Sequence, residues 1–281
     1  LLALALAIFL FLPVPAAAAP AKNEGLLITP LREYITVDAG KTKTGAVTVA
    51  NLTGTRMAIA LSVEQFSVAD YSYDYRFKPD KHNWIHLEQT AVELEPGKSR
   101  RIPYQITVPD KAAAGGTYFT VFASTQFQGV NGVGGKVQAA TVLYITVNGK
   151  LAKTSALRRG VVPRVSFGGD IPFRFDAAHT GNTHFFLYAS GSIEGMGAKQ
   201  HSPETTRLLL PDTARTMSGT IPAPLLPGIY EVTYGYRTDG GHTEQQNAHV
   251  LYLPVWSLAF PVGIGWLVFL WQRHRRASIR K

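Results

Sequence analysis

The residues best suited to chemistry cluster between 70 and 86. Tyr71, Tyr73, Tyr75, Phe77 and Trp84 are interleaved with Arg76, Lys78, Lys81 and His82. Alternating tyrosines fall on one face if the segment is extended. Exposed rings could stack on apolar faces of a ligand while basic groups meet its carboxylates. Tyr71, Tyr73, Tyr75, Arg76 and Trp84 are therefore the candidate ligand-binding residues. The other reading is a long loop that packs its own rings over a sheet, because loops of that length are seldom empty. Both readings stay open at this level.

Other combinations are weaker. His82 and His86 are four apart, a metal-ligating spacing on a helix, but Trp84-Ile85-His86-Leu87 reads as extended. The two rings would then stand about 13 Å apart on one face. Asp70-x-Ser72-x-Asp74 resembles the start of a calcium loop but lacks the later Gly and Glu. Gly129-Val130-Asn131-Gly132-Val133-Gly134-Gly135 has no helix after it to aim amides at a phosphate, so it reads as a hairpin tip. His179 and His184 flank a turn and are expected at the surface. No G-x-S-x-G, H-E-x-x-H or Walker pattern occurs. The expectation is a protein without catalytic residues, metal or cofactor.

Composition narrows the class further. The chain of 281 residues has no Cys, which excludes a disulfide framework, a thiol nucleophile and Cys-ligated metal. Its net charge of +9 is unevenly spread. Residues 22–148 and 149–253 each carry a net +2, and five basic residues crowd the last nine positions. The body has no dense basic stripe, so nucleic acid is not an expected partner.

The elements that must position these groups are short strands. Met57, Ile59, Leu61 and Val63 alternate, as do Ile102, Tyr104, Ile106 and Val108. Asp38-Ala39-Gly40 and Glu95-Pro96-Gly97-Lys98 are turns. The order of signals then repeats. Ile171 to Asp176, the turn His179-Thr180-Gly181-Asn182-Thr183 and the strand from His184 match Val47 to Val63. Pro222 to Gly228 leading into Ile229-Tyr236 matches Pro109 to Gly116 leading into Thr117-Ala123. The expected fold is all-β, two tandem immunoglobulin-like sandwiches over 22–148 and 149–250.

Both ends are apolar. Residues 1–21 read as a secretory signal that lacks its charged start, with Ala17/Ala19 or Ala19/Ala21 at the cleavage site. Residues 251–271 hold no charge, enough at 1.5 Å per residue to cross a core of about 30 Å. Residues 272–281 are a basic tail on the cytoplasmic side. The expected location is a single-pass cell-membrane protein with its body outside.

Ile28-Thr29-Pro30, Asp38-Ala39-Gly40, Ala50-Asn51-Leu52-Thr53, Gln65-Phe66, Trp84-Ile85, Leu94-Glu95-Pro96-Gly97-Lys98-Ser99, Val108-Pro109 and Gly116-Thr117-Tyr118 resemble the WxL-interacting surface proteins of bacteria. The resemblance implies peptidoglycan and an envelope protein as partners, a binding domain at 22–148 and a second domain for a partner or host. The alternative is an immunoglobulin-like spacer or adhesive module without affinity for glycan.

Overall fold

The computed structural model describes residues 25–80, 83–128, 134–259, 265–266 and 268–271. The expected signal segment 1–21, the basic tail 272–281, His82 and Gly129–Gly132 lie outside them.

The first sandwich contains β1 (Leu26–Thr29), β2 (Arg32–Val37), β3 (Thr42–Asn51), β4 (Met57–Val68), β5 (Tyr75–Pro79), β6 (Ile85–Leu87), β7 (Ala91–Leu94), β8 (Ser99–Thr107), β9 (Gly115–Gln128) and β10 (Gly134–Val147). One sheet has the order β1-β3-β8-β6. The other runs β2-β10-β9-β4-β5, with β7 also on β4. Val47, Ile59, Ile102, Ile106, Val121 and Leu143 are among the residues that fill the space between them. They come from alternate positions of their strands, as a pleated sheet with one core face requires. The Glu95–Lys98 turn closes with Lys98 N–H on Glu95 O at 3.1 Å. Gly97 takes the positive φ of 69° that a side chain would resist.

The second sandwich repeats the plan with β11 (Ser155–Val161), β12 (Val165–Phe167), β13 (Ile171–His179), β14 (Phe185–Gly195), β15 (Ala198–His201), β16 (Thr205–Leu209), β17 (Ala214–Ile221), β18 (Gly228–Thr238) and β19 (Thr243–Leu253). Its sheets are β11-β13-β17 and β12-β19-β18-β14-β15, with β16 on β14. Phe173, Phe175, Tyr234 and Tyr236 stack through its core. In each sandwich the entering chain starts in one sheet and crosses to the other. It pairs there in parallel with the last strand, β2 on β10 and β12 on β19.

Two expectations change. The apolar stretch 251–271 does not begin as a helix: Leu251, Tyr252 and Leu253 finish β19, pairing with β12 and β18. A short 3-10 turn follows at Val255–Leu258. Among the described residues no helix is long and apolar enough to cross a membrane. Strand β4 also runs beyond Val63. Its buried face switches there, so that Phe66 and Val68 on the outer side become buried. The cause is the second sandwich, whose Leu210 packs on them together with Tyr118 and Tyr144.

Candidate functional site

The segment singled out in the sequence sits at the joint between the two sandwiches. It is not an extended row. Residues 69–74 form a turn closed by Tyr73 N–H on Ala69 O and Ala69 N–H on Asp74 O. Tyr71 and Tyr73 both take left-handed backbone angles, φ 60° and 62°. That conformation costs a bulky residue free energy and persists where surrounding contacts hold it. The contacts here come from the second sandwich. Tyr71 N–H donates to Ala214 O at 2.9 Å, and Ala214 N–H donates to Asp70 Oδ1 at 2.7 Å. Tyr73 O–H donates to Leu208 O at 2.8 Å and accepts from Leu210 N–H at 2.9 Å. The Arg215 guanidinium lies 3.9 Å above the Tyr73 ring. Arg159 covers Tyr71, donates to its hydroxyl and pairs with the buried Asp176 at 2.6 Å.

The other candidates separate. Tyr75 starts β5 and stacks on Phe77, their centroids 5.9 Å apart, with Phe66 beneath both. Arg76 is exposed on the alternate face of β5. Trp84 is buried in the first core against Phe119, and its backbone N–H donates to Asp80 Oδ2. The Asp70 carboxylate of the calcium-like motif is engaged by Ala214 N–H.

A cleft of about 460 Å³ opens beside this loop. Its floor is Tyr73, Tyr75, Tyr144 and Phe186, and its cations are Arg32 from β2, Arg207 from β16 and Arg215 from β17. Among the described residues no acidic side chain lines it. Burial raises the Tyr73 phenol, and burial with the neighbouring Tyr75 and Tyr34 raises that of Tyr144. Both hydroxyls stay protonated, and the Tyr73 proton is already donated to Leu208 O. Three guanidinium groups and neutral phenols in one concave site favour an anion with planar oxygens, a carboxylate above all.

The edge of β10 leads to the same place. From Gly134 to Thr141 it pairs with β9 on one side, and among the described residues no strand pairs its other side. Pairing resumes at Val142, opposite Arg32. A bare strand edge accepts an added strand through main-chain hydrogen bonds. The end of such a strand would meet Arg32. Tyr34, Tyr75 and Phe77, each more than two-fifths exposed, give this side an aromatic surface.

Arg32, Tyr144, Arg207 and Arg215 escape sequence reasoning because they are far apart in the chain and share no local spacing. His179 and His184, expected at the surface, are instead enclosed. His179 is 7% exposed, and His184 packs against Tyr34, Tyr118 and Tyr144.

No family model and no curated protein sequence matches the chain. Solved structures do. The class 5 fimbriae chaperone CfaA is 10% identical over 82% of this chain and 100% of its own, with a TM-score of 0.47. The CsuC–CsuE chaperone–tip adhesion subunit complex from Csu pili of Acinetobacter baumannii is 10% identical over 82% and 99%, TM-score 0.42. The Salmonella enterica SafA pilin in complex with the SafB chaperone is 12% identical over 81% and 96%, TM-score 0.40. These are pilus chaperones and their complexes, not WxL-interacting surface proteins, and the expected membership in that family is corrected on this finding. Peptidoglycan as partner, anchoring by a single span and the cell-membrane location fall with it. What the chain shares with these structures is the fold alone, two immunoglobulin-like sandwiches in tandem.

Proposed function

We propose that this chain is a non-enzymatic binding protein that holds an extended, carboxylate-bearing segment of a partner protein across the joint of its sandwiches. Units 22–148 and 149–250 each supply one wall. The partner resembles a pilus subunit, the kind of protein held in the CsuC–CsuE and SafA–SafB complexes. The observation that carries the reading is the convergence of Arg32, Arg207 and Arg215 from both sandwiches on one aromatic-floored cleft that no acidic side chain lines among the described residues. The bare edge of β10 supplies main-chain hydrogen bonds, and the Tyr34–Tyr75–Phe77 surface receives apolar side chains. Of the residues singled out in the sequence, Tyr75 touches the segment directly. Tyr71, Tyr73 and Trp84 position the walls, and Arg76 meets charges at the rim.

The test uses an eight-residue peptide of alternating valine and threonine, made with a free and with an amidated C-terminus. Calorimetry should show the free acid binding at least tenfold more tightly, the value of one charge-assisted contact of about 1.4 kcal/mol. Arg32→Glu should abolish the difference. Equal binding of the two peptides, or binding of neither, overturns the reading.

A further inference from the structure

The turn from His179 to His184 is the second place where the sandwiches touch. Asn182 O accepts Gly116 N–H at 2.8 Å, and the Asn182 amide donates to Ala114 O at 2.9 Å. Thr183 Oγ1 lies 3.5 Å from Thr146 Oγ1. The His184 ring then packs on three tyrosines from three strands of the first sandwich. Its centroid is 5.6 Å from that of Tyr34, 5.6 Å from Tyr118 and 5.4 Å from Tyr144.

Two imidazoles brace this turn, and both are uncharged in the closed joint. His179 Nδ1 accepts Gly181 N–H at 2.9 Å, so that nitrogen carries no proton. Its Nε2, 2.7 Å from Thr183 O, is then the donor. A second proton would set Nδ1–H against an N–H and break the turn's internal bond. His184 Nδ1 is buried with no hydrogen-bond partner among the described residues. A proton there would place a charge on a buried nitrogen that meets no acceptor among the described residues.

We propose that residues 179–184 form an acid-released latch between the two sandwiches. Protonation of His179 and His184 unseats the turn from the first sandwich, which then swings about the remaining attachment at Tyr71 and Tyr73. The latch works whether or not the cleft takes a partner strand.

The surrounding charges set its strength. Lys153 stands beside His184 and opposes a further positive charge, while Asp239, paired with Lys153 at 3.1 Å, favours one. Asp212 favours charge on His179, and the two imidazoles oppose each other. The first sandwich presents Tyr34, Tyr118 and Tyr144, whose phenols carry no charge in acid, with Arg32 beyond Tyr144. Burial dominates. It lowers the pKa of His179, and it takes that of His184 down to about 4 from an ordinary 6.5. The closed joint is therefore fully favoured above pH 6.5. It loses ground as the pH falls, because the open form binds the proton first, and the loss is complete near pH 4. For His184 alone the equilibrium shifts by at most about 300-fold.

The absence of Cys allows a clean distance measurement in the full chain. Lys98→Cys and Lys199→Cys, one exposed site on each sandwich, carry a donor and an acceptor dye. Transfer efficiency should change between pH 6.5 and 4 while far-ultraviolet circular dichroism, which reads the strands and not the ring packing at the joint, holds constant. His184→Phe with His179→Gln should flatten the change. His184→Phe alone, which keeps the ring packing, should move the midpoint to lower pH. No change in the parent between pH 7.5 and 4 overturns the latch. So does a change that coincides with loss of the dichroism signal. An unaltered midpoint in His184→Phe also overturns it, and would assign the titration to carboxylates.

Discussion

Replacing Tyr73 by Phe removes one oxygen and keeps the ring under Arg215. Two hydrogen bonds disappear with that oxygen, at 2.8 Å to Leu208 O and 2.9 Å from Leu210 N–H. The consequences for the two partners differ. Leu208 O still accepts from Arg215 Nη1 at 3.1 Å. Leu210 is 2% exposed, and its N–H loses the bond that Tyr73 provided. One lost bond plus one buried orphan donor costs about 2 kcal/mol. For a folded body of this size that lowers the melting temperature by roughly 4–8 °C. Differential scanning calorimetry at neutral pH reads the shift. Tyr71→Phe is the comparison, because its hydroxyl meets an Arg159 that is largely exposed, and its cost should stay under about 1 kcal/mol. A Tyr73→Phe protein that melts within about 1 °C of the parent would show that the hydroxyl does not hold the joint. Equal losses in the two variants would show that aromatic packing, rather than this pair of bonds, is what matters.

Two further substitutions test the first sandwich. Asn51 is fully buried, donates to Thr55 O and Leu94 O, and accepts from Thr53 N–H and O–H, so Asn51→Ala should cost about 3 kcal/mol in urea unfolding, with m unchanged. Gly45 lies under the Tyr104 ring, and a Cβ there would stand 2.3 Å from Cζ. Gly45→Ala should therefore push the ring off Glu33, with a loss of about 1–3 kcal/mol, and the same variant combined with Tyr104→Phe should recover little of it.

Much of the fold is legible in the sequence. Alternation in Ile102-Tyr104-Ile106-Val108 and the Pro96-Gly97 turn need only local physics, and the repeated order of turns and strands foretells a second sandwich. The apolar stretch after Leu251 misleads for a definite reason. A closing strand of a buried sheet and the start of an apolar helix have the same composition, and only the partners of Leu251–Leu253 tell them apart. The site is less legible. A spacing of two among Tyr71, Tyr73 and Tyr75 suggests one face, but left-handed angles at two of them send the rings to another domain. The arginines of the cleft gather only once both sandwiches are in place. His184 is invisible as a buried group because the rings that bury it lie on Tyr34, Tyr118 and Tyr144, all far upstream.

The parallel pairing of each entering strand with its sandwich's last strand bears on the order in which the protein can be completed. The Thr141 hydroxyl reaches Pro30 O across 111 residues of chain, and Arg32 pairs only once Val142 has arrived. A nascent chain emerging amino end first cannot close its first sandwich until β10 is free, nor its second until β19 is free. Until β10 arrives β9 lacks the hairpin partner on that edge, and Phe119 and Val121 lack their cross-strand neighbours Leu143 and Thr141. Until then the first sandwich stays open, with one strand missing from its larger sheet.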